Sequence, residues 1–148
     1  MKLMARILSV FLAIPLLMFV FSVSASASAV STAGTKTYTV TVKTADVADA
    51  GTNSKIQIKL HGNNGDAGWF DLNGSSSDPF ERNAVDKDIF TLSDLGTVKT
   101  LEIFSDGSGN KSGWKVEYIK VNDGTNTWFF YYNNWIGENG AQIVTFTK

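Results

Sequence analysis

The chain has no cysteine among its 148 residues and one histidine, His61. Disulfides are therefore unavailable, a lipid-modified cysteine is excluded, and one His without Cys cannot build a usual zinc site. His61 stands at a strand end before Gly62, where an exposed or hydrogen-bonded imidazole is the ordinary expectation. No G-x-S-x-G occurs, so the strained serine turn of many esterases is missing. Asp and Glu are scattered along the chain, and their spacing nominates no pair for glycosidic chemistry. These absences argue against an enzyme. A basic run is also lacking: 13 Lys and Arg oppose 14 Asp and Glu, for a net charge of −1. That argues against nucleic-acid binding through phosphate neutralisation. Beyond the N-terminus no long apolar run occurs, so nothing further would hold the chain in a bilayer.

The N-terminus itself reads as a leader. Lys2 and Arg6 precede an apolar run from Ile7 to Phe21, broken only by Ser9 and Pro15. Small residues follow, with Ala25-Ser26-Ala27 and Ala27-Ser28-Ala29 as overlapping cleavage sites. This is the pattern of a secretory signal peptide, expected over residues 1–29. Cleavage after Ala27 or Ala29 gives a mature start at Ser28 or Val30. Removing Lys2 and Arg6 from a chain of net −1 leaves the mature protein near −3. The expected product is a secreted monomer, extracellular or periplasmic. Its length, roughly 120 residues, buries one core without disulfides.

Residues 30–36 are small and polar and read as a flexible lead-in to a domain over 37–148. From Tyr38 to Thr44 apolar and polar residues alternate with period two, the mark of a half-buried strand. Further strands are predicted around Ile56–Leu60, Phe70–Leu72, Phe90–Leu92, Leu101–Ile103, Trp114–Val121, Trp128–Tyr132 and Ile143–Phe146. Trp114, Val116, Ile119 and Val121 begin on one parity and end on the other, which predicts a bulge near Glu117-Tyr118. Gly, Asn, Asp and Ser tracts separate the strands, as turns require. No helical periodicity interrupts them. The prediction is an all-β, antiparallel sandwich or barrel.

One loop is rich in oxygen. Asp46, Asp49, Thr52 and Asn53 crowd around Gly51. Calcium wants six to eight such oxygens, but the same residues also form ordinary turns, and composition leaves both readings open.

The ordered set of motifs adds to this. Tyr38 to Val42, Thr44-Ala45-Asp46, Asp49-Ala50-Gly51-Thr52-Asn53 and Ile56-x-Ile58-x-Leu60-x-Gly62 resemble the opening of a PLAT (LH2) domain. Phe80-Glu81-Arg82, Asp88-x-Phe90, Leu95-Gly96, Leu101-x-Ile103, Ser112-Gly113-Trp114, Ile119-x-Val121 and Asn134-Trp135 follow in the family's order. The resemblance implies an eight-stranded β-sandwich of two four-stranded sheets. It also implies a non-catalytic module of the kind that guides lipoxygenases, animal lipases, polycystins and clostridial phospholipase toxins to membranes or proteins, often with calcium. Carried onto this chain, the implied calcium ligands are Asp49, the Gly51 carbonyl, Thr52, Asp78, Ser112 and the Gly113 carbonyl. Two departures stand out. Ser112 replaces a common Asp, which weakens the site. The stretch from Phe80 to Phe90 is about two residues longer than the family spacing, with Asn83 where Gly is common.

By the same resemblance Trp114, Phe130 and Trp135 fall on core positions. Trp69, Phe104, Phe129 and Tyr131 have the opposite parity to buried neighbours and are expected to face outward. The expected function is calcium-assisted binding to a lipid or membrane interface through outward aromatics. The alternatives are a protein-interaction module on the same face, and a carbohydrate-binding sandwich stacking sugars on Trp69 or Tyr131.

Overall fold

The structure is a computed structural model, and it describes residues 34–148. The expected signal peptide at 1–29, and the lead-in as far as residue 33, lie outside the described residues.

Nine strands run β1 (Thr35–Thr44), β2 (Ile56–Gly62), β3 (Gly65–Leu72), β4 (Val85–Ser93), β5 (Val98–Ser105), β6 (Trp114–Asn122), β7 (Thr127–Phe130), β8 (Trp135–Ile136) and β9 (Gln142–Thr147). One antiparallel sheet has the order β4-β1-β6-β7, with β8 added beside β6; the other has the order β3-β2-β5-β9. The eight expected strands are present, and the two-residue β8 makes the first sheet five-stranded. The first strand opens at Thr35, inside the expected lead-in, because Thr35 and Lys36 pair with Ser93 and Leu92 of β4.

The core follows from the alternation. Tyr38, Val40 and Val42 of β1 face Ile56, Ile58 and Leu60 of β2 across the sandwich, with Leu101, Ile103, Ile119, Val121 and Phe146 completing it, all at 1 % exposure or less. Burial of each such side chain stabilises by about 1.5–3 kcal/mol. Trp114 is fully buried. It donates its indole N–H to Thr44 Oγ1 at 3.1 Å and packs on Phe80 at 5.1 Å between ring centres. The buried Tyr38 hydroxyl accepts the Leu95 N–H at 2.9 Å.

Beside β1 the register of β6 shifts: Lys43 pairs with Tyr118, but Thr44 pairs with Val116. Glu117 is the extra residue, where the change of parity predicts a bulge. Trp135 departs from expectation. β8 pairs Ile136 with Trp114 and Trp135 with Lys115. Neighbours on a strand face opposite ways, so Ile136 enters the core and Trp135 stays half-buried, with Lys115 Nζ 5.9 Å from its ring centre.

Candidate functional site

The long connections cluster at one end of the sandwich: 45–55, 73–84, 106–113 and the segments 131–134 and 137–141 on either side of β8. Backbone hydrogen bonds stitch the first to the third. Asn53 N–H donates to Lys111 O at 2.9 Å, and just beyond the third loop the N–H of Lys115 in β6 donates to Ala50 O at 3.0 Å. Thr52 is buried, and its hydroxyl lies 2.9 Å from Lys111 O and 3.2 Å from Ser112 O. It also accepts the Ser54 N–H at 3.1 Å. Ser54 Oγ donates to Ser108 O at 2.8 Å and lies 3.2 Å from Ser112 O. Thr52 thus pins two loops together. The Gly51 Cα packs against Phe80 and Glu81, where an added Cβ would sit 3.1 Å from their backbone.

Two buried or half-buried acids shape the 73–80 loop. Asp86 accepts the Phe80 N–H at 2.8 Å and Asp88 accepts the Asn73 N–H at 3.0 Å. Phe80 is held at φ 62°, costly for a bulky side chain. Its N–H on Asp86, its carbonyl on Thr52 N–H and its ring on Trp114 fix that conformation. Asn83 adopts φ 61°, which explains why an Asn can stand where the family favours Gly. Asp106 accepts N–H groups from Ser108 and Lys55, both at 3.0 Å. The hydrogen bonds from Ser108 come first in holding its carboxyl below the usual range. Asp46 is bonded to Arg82 at 2.7 Å.

Four of the six expected calcium ligands line depressions, and two different ones: Asp49 and Gly113 the first, Thr52 and Asp78 the second. One is lined by Asp49, Asn110, Lys111, Gly113, Trp135 and Glu138. The other is lined by Thr52, Asn53, Asn73, Asp78 and Ser108, among others. Gly51 is buried between them, and Ser112 turns its carbonyl to the Thr52 and Ser54 hydroxyls. Sequence reasoning missed Glu138 and Asn110. The one sequence signal for Glu138 was its place between Gly137 and Gly140 in a turn-forming tract; both glycines adopt positive φ. Lys111 Nζ lies 3.8 Å from Glu81.

The first depression offers a hard cation two carboxylates, an amide oxygen and backbone carbonyls. Among the described residues no group of three His, Cys, Asp or Glu is close enough to hold an ion. Its oxygens are of the kind calcium takes, and Lys111 lines the same depression.

The four expected surface aromatics separate by sheet. Trp69, 38 % exposed, meets Phe104 edge-on at 6.4 Å on the outer face of the second sheet, and the exposed Ile143 is opposite Phe104. Phe129 and Tyr131, 43 % and 58 % exposed, stack at 6.4 Å on the outer face of the first sheet, with Tyr118 edge-on to Phe129 at 5.6 Å. The two groups point away from each other. His61 lies between Asp66 at 2.9 Å and Glu102 at 3.2 Å, a surface hydrogen-bonded position.

Fold and site together define a β-sandwich binding module, with pinned loops at one end and exposed rings on its faces. A family model for the PLAT/LH2 domain matches residues 38–146, and the chain belongs to that family. It is 36 % identical over 109 residues to mouse lipoxygenase homology domain-containing protein 1, across 70 % of this chain and 5 % of that protein. A solved coral 8R-lipoxygenase, described as calcium-activated through a C2-like domain, matches at 25 % identity and TM-score 0.63, over 75 % of this chain and 16 % of that one. The alpha toxin of Clostridium absonum matches at 26 % identity and TM-score 0.61, over 82 % of this chain and 34 % of that one. The chain thus spans only a small part of the relatives it matches.

Proposed function

We propose that this protein is a non-catalytic, exported PLAT module that binds a lipid or membrane interface with the help of calcium. The observation that carries the reading is that Asp49, Glu138, Asn110 and Gly113 line one depression together with the half-buried Trp135. Asp49 and Glu138 would hold the ion with the amide oxygen of Asn110 and carbonyls of the loop. When bound, calcium supplies local positive charge beside an aromatic ring, the combination that favours an anionic interface. The described lipoxygenase activation by calcium through a C2-like domain supports the same reading.

A ligand that binds only the folded state stabilises it by mass action. With two carboxylates the affinity is expected on the order of 10⁻⁴–10⁻³ M, as in extracellular modules. The test is a thermal melt with and without millimolar calcium. Asp49 sits at φ 60°, a conformation Asn also tolerates, so Asp49→Asn is a cleaner variant than alanine. The unmutated protein should melt higher in calcium, and Asp49→Asn should lose that shift while keeping its calcium-free melting point. Absence of a shift in the unmutated protein would overturn the calcium role and favour a protein partner.

A further inference from the structure

A second depression lies on the outer face of the first sheet, away from the loop end. The register builds it. Thr41 of β1 is opposite Lys87 of β4 on one side and Lys120 of β6 on the other. Phe129 of β7 continues the row beyond Lys120. The next row is Ile89, Thr39, Asn122 and Thr127. Because β1 carries short threonines between longer neighbours, the middle of the face is low. A groove of ≈ 400 Å³ results, lined by Thr39, Thr41, Lys87, Lys120, Asn122 and Phe129, among others. Its floor is dense: Thr41 is only 3 % exposed although it faces outward.

The charge on this face is one-sided. Asp86 and Asp88, which flank Lys87 in sequence, turn inward and hold the 73–80 loop. Lys43, one row nearer the loops, donates to the Asn83 carbonyl at 2.7 Å, a neutral acceptor. Among the described residues neither Lys87 nor Lys120 forms an ion pair. Glu117, the bulged residue, is the one acid exposed along β6. A chain of net negative charge thus concentrates cations over a trough of hydroxyls and one amide. Beside it, Phe129 is fixed in place by Tyr131 and Tyr118.

We propose that this groove binds an acidic oligosaccharide, one whose sugars carry carboxylate or sulfate groups. The lysines on either side of Thr41 receive the anions, the threonine hydroxyls and Asn122 bond the sugar hydroxyls, and Phe129 takes the apolar face of a ring. The Lys87 and Lys120 backbones are two strand spacings apart, about 9–10 Å. That is close to a disaccharide repeat, so charges on alternate sugars reach alternate lysines. A polar floor disfavours a protein partner, which would want an apolar centre. A bilayer met by the loop end would also miss the groove. Thr41 lies three residues below the loop-side end of β1, about 10 Å down the strand, and the loops extend further.

The site is independent of calcium, and so is its test. Binding of hexagalacturonate and of a chondroitin sulfate hexasaccharide is measured by calorimetry in EDTA at low and physiological salt. At least one hexamer should bind, more weakly as salt rises. The double variant Lys87→Gln/Lys120→Gln should lose about tenfold or more in affinity, equivalent to 1.4 kcal/mol, at an unchanged melting temperature. Phe129→Ala should also weaken binding, and Lys99→Gln on β5 should not. The proposal is overturned if neither hexamer binds, or if the double variant binds as well as the unmutated protein. Phosphatidylserine vesicles are pelleted in EDTA beside these titrations, and the proposal is equally overturned if the double variant loses the vesicles alone, which would assign the lysines to a lipid surface.

Discussion

Asp123 is buried at the end of the sandwich opposite the long loops. It accepts N–H groups from Asn126 at 2.6 Å and Thr125 at 2.9 Å, and Lys36 Nζ at 3.1 Å. Burial pushes its pKa up, but these hydrogen bonds outweigh burial and hold the carboxyl at about 2. Its folded pKa lies below the ordinary 3.8, so it contributes stability above pH 4 that is lost as pH falls toward 2. At neutral pH Asp123→Asn should cost about 1.5–3 kcal/mol, the worth of hydrogen bonds to a charged group. Urea melts between pH 7 and pH 2 should show that gap closing below pH 4; a gap that stays constant would contradict the assignment. Asp94, whose carboxyl is lowered first by the Gly96 N–H and also by Lys36, likewise contributes stability at neutral pH that is lost on acidification. None of this was legible in the sequence, because Lys36 read as lead-in and its two partners lie 58 and 87 residues away.

Among the elements, the strands were the legible part. Period-two alternation located β1, β2, β5, β6 and β9 because each has one face on the core. The change of parity between Val116 and Ile119 located the bulge. Short elements were not legible: β8 has two residues, too few to show a period, and the family resemblance placed Trp135 in the core where Ile136 stands. The site was legible in composition only. Asp49 and Gly113 line one depression, but Thr52 is an internal pin, and Glu138 comes from a loop whose approach depends on close backbone contact. Gly107 shows how close: it stands at φ 64°, and an added Cβ would lie 2.3 Å from the Gly140 backbone carbon. Gly107→Ala should therefore separate the 106–113 and 137–141 loops and destabilise the protein by about 1–3 kcal/mol. A melting temperature equal to that of the unmutated protein would show that these loops do not need to touch.

At the scale of the whole molecule, the two sheets hold three surfaces apart: the loop end, the lysine groove and the Trp69–Phe104 face. The loop end is the one the PLAT reading makes functional, and the rest of the sandwich acts as its frame. Hydrogen bonds from Thr52, Ser54, Asn53 and Asp106 fix the loops before any ion arrives, so calcium binding should add charge without refolding them. The direct measurement is sedimentation of the protein with phosphatidylserine vesicles, with and without millimolar calcium, beside purely phosphatidylcholine vesicles. The account predicts that the protein pellets with the anionic vesicles in calcium, returns to the supernatant in EDTA, and fails to pellet when Asp49 is changed to Asn. Pelleting that is the same in calcium and EDTA, or none with either lipid, would contradict it.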